Sequence, residues 1–586
     1  MPAGAPRTKR LGYGWDILVS DNKKGKAKMK NKSNLTALRR RLMTTISRTA
    51  PCMAGAGALL LAAGAHQAKA LNLYDGTQVG NNLEVNLTTT VSYSTFYRVN
   101  SPSAILTSPT GNANGSEGDL AFQHGFFSNQ AEILPVFDVR DGNFGLHASG
   151  EAYINTVYLQ KNGNDQPATF NPFSAPVNND FTSATRNVNG LQAKLLTAFA
   201  YASHTFDNDQ SISLKVGRST LFWGQSLLLY SDAIAGGQAP VDIITAQTTP
   251  NAQAQQVFLP VGQAVLTYQP FPAYGVTLQA YYQFEELHDN FQGVGAYFNS
   301  SDILDKGGER LILGPGAYAF RTNDLNPPAQ NGQFGVSIQA PFHNVDLGLY
   351  ALRFDSKTPQ VYLYPGNGFG NTPHGFQVGT YTLVYPRDIG IIGASFSTNV
   401  GPTNVAGEIS GRINQPLVGG LGIQSAANPG NASSDPLYPV GNTIQGQVSA
   451  IYLTPAVPLV PGGINFTGEV EMNHLLQTTK NRAALAPGRQ ATAGVANVVI
   501  SPAYNNLLPR LNVTVPIGIG YNFLGRSQMD STINHGTGYF NIGVQGVYNT
   551  VWTASIVYYD YLGKADTVTN GLADRGYLEF NVQRTF

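Results

Sequence analysis

The chain has 586 residues, of which only 12% are charged, and a formal net charge of +1. A mean hydropathy of −0.13 excludes a bundle of membrane helices, and so low a charge content is unusual for a water-soluble protein. Glycine (64 residues), tyrosine and phenylalanine (29 each) are abundant, which suits a sheet that shows lipid only alternate side chains.

The first segment differs from the rest. Residues 1–50 carry thirteen Lys or Arg against two Asp, with Arg39, Arg40, Arg41 and Arg48 just ahead of an Ala/Gly/Leu stretch, Met53–Ala65. That stretch is too short to span a bilayer. It leads to Ala68-Lys69-Ala70, and a basic region, a short apolar region and an A-x-A site together predict a secretory signal cleaved after Ala70. The length of the basic region makes Met29 and Met43 alternative starts. Cys52 is the single cysteine and leaves with the signal, so no disulfide, cysteine metal site or cofactor is expected in the mature chain. Residues 71–586 then hold 22 basic and 33 acidic residues, a net charge of about −11, which argues against nucleic acid as a partner.

From Leu71 onward strict alternation recurs. Leu83, Val85, Leu87, Thr89, Val91 and Tyr93 form one face, and Glu84, Asn86, Thr88, Thr90, Ser92 and Ser94 the other. The same period of two runs through Val276–Glu285 and Phe540–Asn549, giving strands with one apolar and one polar face. Strands are predicted near 83–98, 127–139, 144–158, 195–206, 211–219, 261–270, 275–286, 332–341 and 345–355. The second half predicts 389–400, 403–413, 441–453, 463–475, 493–504, 509–523, 538–548, 551–562 and 574–586. That makes about eighteen (range 16–18), an even number as transmembrane barrels require. Tight turns such as Asp141-Gly142 and Asn549-Thr550 alternate with long links at 99–126, 159–194, 220–260, 287–331, 356–388 and 414–440. The expected fold is therefore an all-β, antiparallel up-and-down transmembrane barrel over 71–586, with short periplasmic turns and long external loops. Leu578, Phe580, Val582 and the terminal Phe586 share one face of the last strand, the pattern that addresses a chain to the barrel-assembly machinery. Lipid and lipopolysaccharide of a Gram-negative outer membrane are its expected surroundings.

Several words in the sequence carry a family resemblance: Val216-Gly217-Arg218, Phe222-Trp223-Gly224-Gln225-Ser226, Pro240-Val241-Asp242, Tyr282-Gln283-Phe284-Glu285 and Tyr297-Phe298-Asn299-Ser300-Ser301-Asp302. Tyr385-Pro386-Arg387-Asp388-Ile389, Gly407-Glu408-Ile409-Ser410, Asn414-Gln415-Pro416-Leu417, Gly468-Glu469-Val470, Asn473-His474 and Asp574-Arg575 complete the set. On these the chain resembles a family of Gram-negative outer-membrane barrels catalogued as a domain of unknown function. The resemblance implies a porin-like uptake channel associated with catabolism of hydrophobic or aromatic compounds. The chain departs from the pattern at Gln225, where Glu is common, and over Ile243–Gln256, which has no charge where the family is more basic.

Alternation places Glu132, Asp138, Glu151, Glu285, Glu408, Glu469 and Glu471 on the inward face, with Arg140, His147, Lys215 and Arg412. Opposed charges across a pore would orient polar solutes and set selectivity; alternatively they pair with one another or hold loops folded into the lumen. The 220–260 link, with Phe222, Trp223, Gln225 and Asp242, is the candidate constriction, and Trp223 would either touch an apolar solute or join an outer aromatic girdle. Asp302, Asp305 and Glu309 surround a Gly-Gly turn but match no calcium loop, and alternation sets Glu471 and His474 on opposite faces, so no metal site is expected. No G-x-S-x-G and no H-E-x-x-H occurs, and the chain is not expected to be an enzyme. The function read from the residues is passive uptake of small solutes. A structural or surface-interaction barrel with a plugged lumen, and an outer-membrane hydrolase, are the alternatives.

Overall fold

The computed structural model describes residues 71–75, 82–167, 170–175, 177–304, 306–324 and 332–586. The expected signal peptide, its cleavage site and the alternative starts lie outside the described residues. Eighteen antiparallel strands close into a barrel. Closure occurs on the first of them, Leu83–Arg98, which pairs with Gly125–Asp141 on one side and with the last strand, Tyr577–Thr585, on the other. The seam is completed at the short-turn end: the Phe586 N–H donates to the Thr89 carbonyl at 2.9 Å, and a short strand, Leu71–Asp75, continues along the same edge opposite Leu87–Glu84.

The strands Leu83–Arg98, Ser211–Ser219, Ile389–Val400 and Gly538–Tyr548 keep the bounds read from the sequence. Two depart. The expected strand at 509–523 is divided into Leu511–Thr514 and Ile517–Leu524; Pro516 between them has no N–H to give a ladder, yet both pieces pair with the same two neighbours. The expected strand at 275–286 ends at Gln283, where the chain turns into the long 284–309 connection.

The long links are not merely loops. Arg310–Gly314, Ala317–Arg321, Gln360–Thr372, Gly375–Val384 and Gly422–Ile423 form a second, five-stranded sheet at the long-loop end. Its widest strand contains Pro365, Gly366, Gly368 and Gly370, residues that read as turn rather than strand.

The barrel is polar inside and apolar outside. In the strand Thr403–Pro416, Ile409 is 52% exposed while its neighbours Glu408 and Ser410 are 4% and 2% exposed. Val91, Ile133, Leu278, Val448, Val470, Ile556 and Phe580 stand outward in the same way. Leaving so much branched and aromatic surface in water would cost roughly 25 cal/mol for each Å², so this wall is built for hydrocarbon. Leu578 and Phe586 lie on that outer surface too.

Candidate functional site: a lumen crossed by an infolded segment

The connection between Ser211–Ser219 and Val261–Phe271 does not leave the barrel. Its uncharged stretch lets it bury itself: Tyr230, Ala235, Ala239, Val241, Ile243, Ala246, Val257 and Phe258 form a small core of their own. The short helix Ile243–Thr248 starts on Asp242, whose carboxylate accepts the Thr245 N–H at 2.9 Å. Phe222 packs edge-on against Phe258, with ring centroids 4.8 Å apart.

Charged side chains of the inner wall hold this segment by its backbone. Glu408 accepts the N–H groups of Gln225 at 2.6 Å and Ile234 at 2.8 Å. Glu469 accepts those of Leu227 at 3.0 Å and Leu229 at 2.6 Å, and that of Leu228 between them. Arg412 supplies the opposite polarity, donating to the carbonyls of Ser231 at 3.2 Å and Ala233 at 3.0 Å. Gly224 has φ +85, and a Cβ there would collide with the Glu408 carboxylate, so only glycine lets the chain approach this closely. Asn473 adds a bond to Asp232 at 2.8 Å.

The far side of the barrel is tied as well. Gln256 and Thr249 donate to Glu132 at 2.6 and 3.2 Å. Lys194 reaches Asp242 at 2.7 Å, Thr245 at 3.0 Å and Glu151 at 3.4 Å. Asn251 donates to Asn581 at 3.2 Å and accepts from Gln545 at 2.9 Å. Trp223 is only 2% exposed and sits against Tyr281 and Tyr350 of the inner wall, its indole N–H donating to Gln279 at 2.6 Å. It is therefore no part of an outer aromatic girdle.

Glu132, Glu151, Glu408, Arg412 and Glu469 thus converge on the segment that carries Phe222, Trp223, Gln225 and Asp242, and Glu471 is buried beside them. Asp138, Arg140, His147 and Lys215 lie apart, nearer the short-turn end; His147 Nδ1 meets Asp138 at 2.6 Å. Glu285 lies beyond its strand and pairs with Arg218, which removes it from the inner wall's row. Lys194, Asp232 and Asn251 were not singled out from the sequence, and Asn473 entered only within a family word. Alternation puts Asn473 on the inward face, but Lys194 lies ahead of the predicted strand start, and Asp232 and Asn251 lie in a connection where no periodicity operates.

A second packed region fills part of the long-loop mouth. Phe96, Phe122, Phe127, Tyr158, Tyr297, Tyr559 and Tyr577 are among its buried rings. Beside them Asp119 receives Arg98 at 2.9 Å and Arg575 at 2.9 and 3.0 Å, with all three side chains fully buried. An open cavity of about 490 Å³ meets the infolded segment at Tyr230, Ser231, Asp232, Gly236, Ala239 and Val241. Phe291, Leu304, Phe354, Val361, Leu417 and Met529 supply apolar contacts, and Asp232, Asp289, Lys357, Arg412 and Asp530 add charge. Burial pushes Asp289 up to about 7, against the Val241 N–H that favours its carboxylate. Burial pulls Lys357 down to about 8, outweighing Asp355, Glu286 and Asp289 nearby.

Among the described residues no group of three His, Cys, Asp or Glu is placed to hold a metal ion. Asp305 lies outside the described residues; Glu309 bonds the N–H groups of Phe173 and Ser174, and Asp302 that of Glu117. His474 is exposed on the outer wall and Glu471 buried inside, on opposite faces. His474 contacts the Thr492 hydroxyl at 2.7 Å.

The barrel is similar to the crystal structures of Acinetobacter baumannii OccAB4 (10% identity, TM-score 0.42, covering 86% of this chain and 98% of that chain). It is also similar to Pseudomonas aeruginosa OpdK with vanillate (11%, TM-score 0.37, 85% and 98%) and to Salmonella typhi OmpF with daunomycin (9%, TM-score 0.35, 88% and 100%). What these chains share with the present one is the barrel fold. No curated protein matches the sequence. The model of one family matches residues 49–586, and the chain belongs to that family, described as "Protein of unknown function (DUF1302)".

Proposed function

We propose that the protein is an outer-membrane channel for passive uptake of small solutes, and that residues 220–260 form its constriction. The observation that carries this reading is the infolded segment itself, held across the lumen beneath a 490 Å³ vestibule. A vestibule of that size fits one small organic molecule; Phe291, Phe354, Val361, Leu417 and Met529 offer contacts to a hydrophobic or aromatic body, and Asp289, Lys357, Arg412 and Asp530 to its polar groups. The short turns would face the periplasm and the second sheet the exterior, with lipid and lipopolysaccharide around the apolar wall. Leu578, Phe580, Val582 and Phe586 would present the assembly signal. The tethering on all sides also favours a second reading, a structural barrel kept shut.

Conductance of residues 71–586 in a planar bilayer separates the two. The channel should open in steps, and its selectivity should follow the vestibule. Below about pH 7 Asp289 is neutral and Lys357 charged; above about pH 8 Asp289 is charged and Lys357 neutral. The pair therefore swings from positive to negative, and cation preference should rise several-fold between pH 6 and 9. A barrel that inserts and never conducts supports the shut reading and contradicts the channel.

A further inference from the structure

Lys215 and Arg140 are the cations of the expected lumen set that neither tie the infolded segment nor join an ion pair among the described residues; Arg140 turns to the Gly142 carbonyl at 3.4 Å, and Lys215 bonds no acid among those residues. Leu214 and Val216 on either side are 45% and 43% exposed on the outer wall, so Lys215 faces the lumen. Its register partners are Tyr201 and Val265, both uncharged. Val265 packs in one cluster with Trp223 and Leu221 of the infolded segment, which sets Lys215 at that segment's edge, on the side toward the short turns.

The surroundings of the ammonium are aromatic. It lies 5.0 Å from the ring centroid of Phe199, and the His147 ring stacks against Phe199 at 4.8 Å and 20°. Tyr201 extends along the wall into the space left by Gly145, where a Cβ would meet its ring. Asp138, in the adjoining row, is already bonded to His147 and is separated from the ammonium by the stacked His147 and Phe199 rings. Asp138 therefore makes no ion pair with Lys215. An ammonium offers three donors and no acceptor, and a cation without a bonded carboxylate in a narrow lumen acts strongly on passing ions.

We infer that Lys215 is a receiving site for the carboxylate of an organic anion passing the constriction, with the solute's apolar part against the Phe199 and Tyr201 rings. This rests on the channel reading and adds to it the charge class of the solute. Apolar side chains in the vestibule above and cations below would select an amphipathic acid over a neutral molecule or an inorganic cation.

The test uses residues 71–586 in planar bilayers and in liposomes, with benzoate as the anion and arabinose as the neutral solute. The benzoate-to-potassium permeability ratio, read from reversal potentials, should fall about five-fold in Lys215→Met. Lys215→Arg should retain it, and arabinose uptake should be the same in all three. Heat-modifiable gel mobility checks that each variant folds, and Lys215→Gln replaces Lys215→Met if that variant does not. An unchanged ratio in a folded, conducting Lys215→Met barrel overturns this inference and leaves the channel reading standing. A wild-type barrel that passes neither arabinose nor ions overturns both.

Discussion

Replacing Glu469 by alanine should raise single-channel conductance about three-fold or more, because three backbone donors lose their only charged acceptor at once. The N–H groups of Leu227, Leu228 and Leu229 all end on this carboxylate. Charge-assisted bonds of this kind are worth about 1.5–3 kcal/mol each, and leaving the donors buried without acceptors would cost about 1–3 kcal/mol apiece. The cheaper response is for the segment to leave the wall. The barrel ladder is untouched by the change, so heat-modifiable mobility should persist while the lumen widens. Adding Glu408→Ala frees the N–H groups of Gln225 and Ile234 as well and should enlarge the effect. Conductance equal to that of the wild type in both variants would mean that the segment does not limit the passage.

Asp119→Asn should be the most destabilising single change at the long-loop mouth. Arg98 and Arg575 both end on Asp119, and Asp574 completes a buried group of two cations and two anions. Removing one acid leaves a net positive charge out of reach of water, and breaking a buried pair in this way costs about 3–5 kcal/mol. The aromatic cluster around Tyr297 packs against both guanidinium groups, so it should loosen with them. Limited proteolysis of intact cells or vesicles should then cut within 99–124 and 284–309, where the wild type resists. Arg575→Met alone leaves Asp119 bonded to Arg98 and should be milder. Equal protease resistance in Asp119→Asn and wild type would contradict this role.

The strands were legible because lipid outside and polar groups inside impose a period of two on each of them. Glu408, Glu469, Glu132 and Glu151 were legible as inward-facing for the same reason. What they hold was not legible: their partners are mostly backbone N–H groups and small amides of residues 225–256, which have no periodic signature. Lys194 escaped because its strand starts at Leu191, earlier than the alternation suggests, and because the register slips next to it between Ala148 and Gly150. The second sheet escaped because its glycines and Pro365 carry the composition of turns. Several of the words on which the family resemblance rests, among them Phe222-Trp223-Gly224, Glu408, Glu469 and Asp574-Arg575, prove to be tether points of the infolded segment and the mouth.

The position of residues 220–260 inside the barrel can be tested without reference to transport. Residues 71–586 contain no cysteine, so Asn251→Cys with Asn581→Cys introduces one thiol pair between the infolded segment and the last strand, at a contact of 3.2 Å. A short bifunctional thiol reagent should bridge the two in nearly every molecule, detected as the loss of two thiols and one added mass, and should hold conductance low until a reducible bridge is cleaved. Two thiols that stay separate, with the one at position 251 open to a bulky maleimide from outside the cell, would place the segment outside the lumen and contradict the constriction.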